Sequence, residues 1–393
     1  MIFKGFLRSR GVRQLLRDRW AVVSLAIIGA YLALALILLF GGLITKTATF
    51  ARVGPDTLVG FFEEPTVEQR LHYNEFYLDK LTTAAESRNS ETALRDLEFN
   101  GRHPVLTDAD AVLERTEPLW EVHDELVELH ESDAFDAARD GPRLAALEAE
   151  VEGLYTPAEG FLRRLATVLG TDRQGRSILL RATYSIKVAV QIGLVSALIS
   201  VLLGASLGGA AAFFGGWVDH AIVWLYSTFS AIPYIVLLMV LAAMFLGSQF
   251  EGTLVPVYVA FCLTFWIGPC RVIRGEVLKL RELEYVQAAT AVGFGRGRIL
   301  LKHILPNTTH LMFINFSLLF IGAIKAEVIL SFLNLGVKNE PSWGVMIQQA
   351  RQEVISGFFW QIGAATVFML VLVLAFNVLS DALQDAFDPK HVG

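Results

Sequence analysis

The chain has 393 residues, 54% of them hydrophobic and 18% charged, with a formal net charge of −6. That composition excludes a single water-soluble domain as the home of the whole chain. The apolar content points instead to a lipid bilayer, and the acidic balance speaks against nucleic acid as a partner.

In chain order, the first element is the uncharged run from Ala21 to Ile44. At about 1.5 Å per helical residue it covers the roughly 30 Å of bilayer hydrocarbon. Lys4, Arg8, Arg10, Arg13, Arg17 and Arg19 precede it. The run exceeds the 7–15 apolar residues or so of a cleaved signal peptide, so residues 1–45 are expected to be a basic flank and a retained first span.

An acidic insert over residues 46–168 follows. Residues 51–165 hold 26 acidic and 11 basic side chains, a balance of −15, which leaves +9 for the rest of the chain. Leu, Val and Ala recur at three- and four-residue intervals over Glu114–Glu131 and Arg143–Gly153, with Leu144, Leu147 and Val151 as one stripe. Turn residues stand at Gly101 to Pro104, at Gly141-Pro142 and at Gly153 to Pro157. The expectation is a small helical subdomain or two helical hairpins, with partner docking favoured over cation binding.

Five further apolar runs lie in residues 169–393: Ile186–Phe213, Ala221–Leu246, Leu254–Ile273, Leu311–Leu333 and Phe359–Phe376. The fold class is therefore an all-α integral membrane protein with six transmembrane helices. No alternating barrel pattern competes with it. Lys and Arg set the orientation. With the amino terminus inside, the cytoplasmic side gains Arg271, Arg274, Lys279, Arg281, Arg296, Arg298, Lys302 and Lys390, whereas the short outer loops hold only Lys338 and Arg351. Both termini are thus expected in the cytoplasm, and the insert, long enough to translocate regardless of charge, outside.

The inner segment 271–307 carries helix signals of its own. Leu283, Val286, Ala289 and Val292 are spaced as one helical face, and Gly293 is a natural left-handed stop. After the turn at residues 293–297 a second short helix is predicted from Arg298 to Leu305, closed by Pro306. Ala288 and Ala289 lack bulk, and Arg296, Arg298 and Lys302 form a positive rim. Such a knob suits protein docking better than lying on lipid.

Catalytic patterns are weak. No phosphate-binding Gly-x-x-x-x-Gly-Lys-Ser/Thr loop occurs, so this chain is not expected to hydrolyse ATP by that route and no cofactor is expected on it. Gly204-Ala205-Ser206-Leu207-Gly208 fits a hydrolase elbow in letters, but it falls inside a span, where small residues serve close helix packing. No His-Glu-x-x-His occurs, and His123 and His130 are read as surface residues. Cys262 and Cys270 are read as packing residues. Lys325 and Glu327 interrupt an apolar run, which places them at a pore, an interface or the membrane surface.

Glu284-Tyr285-Val286-Gln287-Ala288-Ala289, then Gly293, then Ile304-Leu305-Pro306-Asn307, resemble the EAA loop of binding-protein-dependent ABC importer permeases. Leu169-Gly170-Thr171-Asp172-Arg173-Gln174-Gly175-Arg176-Ser177 resembles the LGTDxxGRD element of the dipeptide, oligopeptide and nickel branch, C-type subunit. Phe214-Gly215-Gly216-Trp217-Val218-Asp219, the run Leu330 to Gly336, Pro341-Ser342-Trp343-Gly344 and the ending Asp381 to Pro389 follow in family order. Gln287 replaces the leading Glu of the triplet, Ser177 replaces Asp, and His303 stands where Ile is frequent.

The resemblance implies a multi-pass cell inner-membrane permease that catalyses no reaction itself. Its implied partners are a second homologous permease, two ATP-binding subunits and an extracytoplasmic solute-binding protein. Glu284, Gln287, Ala288, Ala289, Gly293, Leu305 and Pro306 would couple to the ATPase, and Arg176 and Glu327 would lie on the translocation pathway or outer gate. The insert has no counterpart in the resemblance. A receptor or scaffold that senses a ligand through an acidic ectodomain, and transports nothing, is the rival reading.

Overall fold

In lipid a backbone amide finds no water, so each long apolar run must satisfy its own peptide groups by coiling. The computed structural model describes residues 18–40, 66–86, 109–154 and 168–387, with a few single positions before and between them. Lys4, Arg8, Arg10, Arg13, Arg17 and Lys390, the turn at Gly101 to Pro104, the end of the turn at Gly153 to Pro157, and Asp388-Pro389 lie outside the described residues. Among the described residues the regular elements are all helical, with one isolated antiparallel bridge between Thr171 and Ser177.

Among the described residues five helices are long and apolar enough to cross a membrane: Arg19–Phe40, Ile178–Phe214, Val255–Leu280, Arg296–Phe332 and Trp360–Ala386. The remaining predicted span, Ala221–Leu246, is not a single rod. It is a pair of helices, Gly216–Ser230 and Tyr234–Ala243, bent by 87° at their junction. Pro233 sits in that junction; it has no N–H to donate and disfavours the α conformation at Ile232. The expected six spans are reached only when the bent pair counts as one.

In chain order the helices are α1 (Arg19–Phe40), α2 (Val67–Glu86), α3 (Ala109–Glu131), α4 (Gly141–Gly153), α5 (Ile178–Phe214), α6 (Gly216–Ser230) and α7 (Tyr234–Ala243). They continue as α8 (Val255–Thr264), α9 (Ile267–Leu280), α10 (Glu284–Ala291), α11 (Arg296–Ile299), α12 (Thr309–Phe332), α13 (Trp343–Ile355) and α14 (Trp360–Phe387). The chain divides into two compact units.

The first unit comprises Met1–Leu43, Tyr184–Gln348 and Ala365–Gly393. Within it α5 and α9 approach backbone to backbone. A Cβ at Gly204 would stand 2.6 Å from the Trp266 carbonyl oxygen, and one at Gly208 would strike the carbonyl of Cys270. Small residues therefore let two backbones touch, as the sequence reading of Gly204 and Gly208 anticipates. Ser206 is exposed on the helix and forms no elbow. Cys270 is buried and Cys262 half-buried, both as free thiols. Elsewhere Phe320 of α12 stacks on Phe376 of α14 with ring centroids 3.9 Å apart. The first and last spans meet where the Tyr31 hydroxyl donates to the Phe368 carbonyl at 3.0 Å.

The second unit comprises Ile44–Thr183 and Gln349–Ala364. Its core is built by α2, α3 and α4: Leu71, Leu78, Leu81, Leu126, Leu144, Leu147 and Val151 are all buried. The expected helices over 114–131 and 143–153 are present, and the stripe Leu144, Leu147, Val151 faces inward. Sequence reasoning passed over α2. It opens with a capping box, in which the Thr66 N–H donates to Gln69 Oε1 at 2.9 Å and the Gln69 N–H donates to Thr66 Oγ1 at 3.3 Å. Arg70 of α2 then grips Glu148 of α4 through two bonds of 2.7 Å.

Candidate functional site

The predicted knob begins at α10. Leu283 is extended, with ψ 146°, and α10 runs for eight residues from Glu284. Its end is a Schellman turn: the Gly293 N–H donates to the Thr290 carbonyl at 3.0 Å and the Phe294 N–H to the Ala289 carbonyl at 3.1 Å. Gly293 has φ +87°, the left-handed conformation that its sequence position anticipates.

Two residues of α10 point inward. Val286 and Ala289 are buried with Ile273 and Val277 of α9, Ala205 and Ala212 of α5, and Ile299, Leu300 and Ile304. Leu283 and Val292, expected on the same face, are exposed, because one precedes the first helical turn and the other caps the last. Glu284, Gln287 and Ala288 stand outward, joined by Ala291 to make a stripe at i, i+3, i+4 and i+7. The stripe has a carboxylate at one end, an amide beside a methyl group at its centre and a methyl group at the other end.

The second half of the knob departs from expectation. A helix from Arg298 to Leu305 closed by Pro306 is not what forms. One turn of α11 passes into a π-helical turn over Leu300–Ile304 and a 3-10 turn over Leu305–Thr308, and the chain continues directly into α12. Pro306 cannot donate to the preceding turn. A local change of helix type accommodates it, and the helix does not stop. Leu305 is half-buried against Gly209, 3.1 Å from where a Cβ there would stand. The Asn307 side-chain amide donates to the Tyr285 hydroxyl and to the His303 carbonyl, both at 3.0 Å. These bonds tie the two halves of the 284–307 pattern together.

Three arginines that the sequence reading used only to set orientation have specific partners. Arg271, Arg274 and Arg281 follow one another at helical spacing on α9 and its C-cap. Arg274 makes a bidentate pair with Asp219 of α6 at 2.6 and 2.7 Å. Arg271 donates to Ser230 Oγ at 2.7 Å and lies 4.8 Å from the Tyr226 ring centroid. Arg281 donates to the Ala212 carbonyl, in the last turn of α5, at 2.7 Å. One face of α9 thus packs on the knob while another is clamped to α6 and to the end of α5.

Arg176 lies in the polar turn before α5. Asp172 organises that turn: its Oδ1 accepts from the N–H groups of Gln174 and Arg176 at 2.9 and 3.0 Å, and its Oδ2 accepts from Arg176 Nε at 2.8 Å and from Arg181. Gln349 Oε1 then receives Arg176 at 2.9 Å and Arg181 at 2.7 Å. The Arg173 N–H donates to Glu353 at 3.1 Å, and burial pushes the Glu353 carboxyl up from its usual range. Arg176 is only 7% exposed and belongs to this ionic knot. Arg181, Gln349 and Glu353 escaped the sequence reading; a charged side chain four residues into an apolar helix was the available signal.

Glu327 is also enclosed. It is 3% exposed, and its Oε1 accepts from Ser331 Oγ at 2.6 Å, with Ser342 bonded to the same carboxyl. Ser331 and Ser342 come from separate pattern elements, 330–336 and 341–344, and the backbones at Gly336 and Gly344 close over Ser331. Lys325, two positions earlier, is exposed on another face. Among the described residues no group of three or more His, Cys, Asp or Glu could hold a metal ion, and His123, expected at the surface, is instead buried between α2 and α3 with a ring nitrogen 3.3 Å from the Leu71 carbonyl.

Residues 200–392 match the family described as binding-protein-dependent transport system inner membrane component. The dipeptide transport system permease protein DppC of Bacillus subtilis is 37% identical over 222 residues, 56% of this chain and 68% of that protein. The oligopeptide transport system permease protein OppC of Haemophilus influenzae is 33% identical over 224 residues, 56% of this chain and 70% of that one. A structure of the MetNI methionine ABC transporter in an inward-facing conformation aligns with 15% identity and a TM-score of 0.42, covering 54% of this chain and 97% of that one. Both of the relatives named are permeases, which does not support a receptor that transports nothing.

Proposed function

The chain belongs to the binding-protein-dependent transport system inner membrane component family, and from that premise we propose that it forms half of a peptide translocation pathway powered by separate ATPase subunits. The relatives named above carry dipeptide and oligopeptide transport in their names, which supports peptides as the cargo. In this reading both termini are cytoplasmic and the acidic insert is extracytoplasmic, where the binding protein delivers its load. A second homologous permease completes the pathway, and two ATP-binding subunits dock beneath the pair.

The outward stripe of α10 carries this reading. Glu284, Gln287, Ala288 and Ala291 present a narrow, low-relief ridge that another protein can approach closely, and Gly293 ends it abruptly. Ala289, Leu305 and Pro306 act from within: Ala289 seats the ridge on α9, and the turn at Leu305 and Pro306 joins the knob to α12 without a break. Movement of the ATPases would push on α10 and shift α5, α9 and α12, so that the pathway opens alternately to each side. No bond is made or broken on this chain. Buried Arg176 and Glu327 hold the turns at the ends of their helices and act on the pathway only by positioning it.

The clamp on α9 gives a specific consequence. Asp219→Asn leaves Arg274 without its carboxylate, α6 no longer follows α9, and uptake falls by roughly tenfold, the equivalent of about 1.4 kcal/mol. ATPase subunits still co-purify with this variant. The exchange Asp219→Arg with Arg274→Asp restores part of the uptake; equal uptake in Asp219→Asn and wild type would show that the pair transmits nothing.

The whole reading is tested by reconstituting the permease pair with its ATPases and binding protein in liposomes and following a labelled dipeptide. ATP-dependent accumulation that disappears when this chain is omitted is the expected result. Accumulation of another solute class alone would overturn the peptide assignment, and failure of any ATPase to join the complex would overturn the transport mechanism.

A further inference from the structure

Near the start of α5 an ammonium group interrupts an apolar helix: Lys187, whose side chain is 14% exposed. A charge at such a place is kept for a partner, an ion path or a water-filled cavity. The Lys187 Nζ donates to the Tyr184 hydroxyl at 2.8 Å and lies 4.7 Å from the centroid of that ring. Glu340 Oε2 is 4.0 Å away, within ionic range but too far for a hydrogen bond.

Glu340 is positioned by its backbone neighbours. The Lys338 and Asn339 N–H groups both donate to the Gly252 carbonyl, at 2.8 and 3.1 Å, and the Lys338 ammonium pairs with Glu251 at 2.8 Å. The turn ahead of Glu340 is thus pinned to the loop before α8. Its Oε2 is shielded from solvent, yet accepts no hydrogen bond from the described residues. The same holds for Gln191 Oε1, one helical turn along α5 from Lys187. Shielded acceptors in folded proteins nearly always meet a donor. Two that do not, beside an ammonium with donors to spare, form a polar cluster ready for a molecule that carries both donors and an acceptor.

Past Gln191 the same side of α5 continues through Leu194, Leu198 and Leu202, all exposed. The cluster therefore stands at one end of an open apolar strip. In the orientation proposed above that end is extracytoplasmic, where cargo arrives. A simple cation would be repelled by Lys187 and a simple anion by Glu340. A zwitterion meets both charges, and a short peptide adds amide groups for Gln191.

We propose that the cluster around Lys187 and Glu340 contacts the peptide as it enters the pathway: Lys187 takes its carboxylate, and Glu340 takes its amino-terminal ammonium. This deepens the transport reading and rests on it.

The test uses the complete transporter in liposomes, with the binding protein carrying radiolabelled alanyl-alanine. Uptake per ATP hydrolysed is expected to fall about tenfold in Lys187→Met and in Glu340→Gln, and further in the double variant, while the loaded binding protein still stimulates ATP hydrolysis. An ion pair that serves structure alone behaves oppositely: loss of one partner strands a charge, and loss of both relieves it. Recovery of uptake in the double variant therefore overturns the cargo contact, as does wild-type uptake in all three variants. A second measurement needs no variant. A dipeptide bearing a diazirine side chain, photolysed in the wild-type complex during turnover, is expected to attach within residues 184–191 or 338–342, and attachment confined to other segments overturns the assignment. Absence of ATP-dependent uptake by the wild-type complex is the separate result that overturns the transport reading itself.

Discussion

Gly293→Val is expected to abolish ATP-driven uptake, whereas Gly293→Asn retains most of it. The reason lies in backbone conformation alone. A Cβ at Gly293 would meet open space, with no neighbouring atom within 4 Å, so no clash explains a loss. The φ of +87° does, because a left-handed conformation costs an ordinary residue about 1–2 kcal/mol and a β-branched one more. Asn tolerates that region far better. With valine the chain leaves the left-handed region, the bonds from Gly293 to Thr290 and from Phe294 to Ala289 are lost, and the end of α10 frays. Uptake in liposomes and co-purification of the ATPase read the effect together. Wild-type uptake in the valine variant would mean that the end of α10 has no part in coupling.

The second large effect is expected at Gly208. Gly208→Leu prevents the membrane core from assembling, seen as loss of monodisperse protein after detergent extraction. Any Cβ there strikes the Cys270 carbonyl and stands 3.1 Å from the Arg274 backbone nitrogen. Backbone cannot rotate away as a side chain can, so the penalty exceeds the roughly 1–3 kcal/mol of ordinary overpacking. Gly275→Ala on α9 is the control. A Cβ at that position touches nothing within 4 Å, and the alanine variant behaves as wild type. Loss of both variants alike would show that α9 tolerates no change and that Gly208 has no special place.

The membrane helices were legible because lipid demands long apolar runs, and α5, α12 and α14 appear where the composition places them. The broken span was not, although Pro233 stood in view. Hydropathy averaged over a window does not sense a single missing N–H. The same blindness explains residues 300–308, where Pro306 signalled a stop and the chain changed helix type to continue. In the insert, α3 and α4 announce themselves by apolar periodicity, whereas α2 is betrayed chiefly by its Thr66-to-Gln69 cap, a signal of four residues.

Within the candidate site the expected shape holds for α10 and its end at Gly293 and fails at Pro306, where the chain runs on into α12, and the expected exposures hold only in part. Gly293 needed only its own backbone preference, and Ala288 only its size. Glu327 is read as a pathway or gate residue because it interrupts an apolar run, and Arg176 because its motif resembles a family element. Asp172 and Ser331 stand four positions from Arg176 and Glu327, but Gln349 lies 173 positions from Arg176 and Ser342 belongs to a separate turn, so no local pattern reveals the full pairing. Arg271, Arg274 and Arg281 were seen as charge and missed as a clamp for the same reason.

The central claim is that α10 is the surface gripped by the ATPase, and a single cysteine tests it most directly. Ala288→Cys, in a chain whose Cys262 and Cys270 are replaced by alanine, is assembled with an ATPase subunit carrying cysteines along its groove. Rapid disulfide formation that changes with nucleotide is the predicted result. Labelling of Cys at position 288 by a membrane-impermeant maleimide from the extracytoplasmic side, or full uptake with no cross-link to any ATPase position, would contradict it.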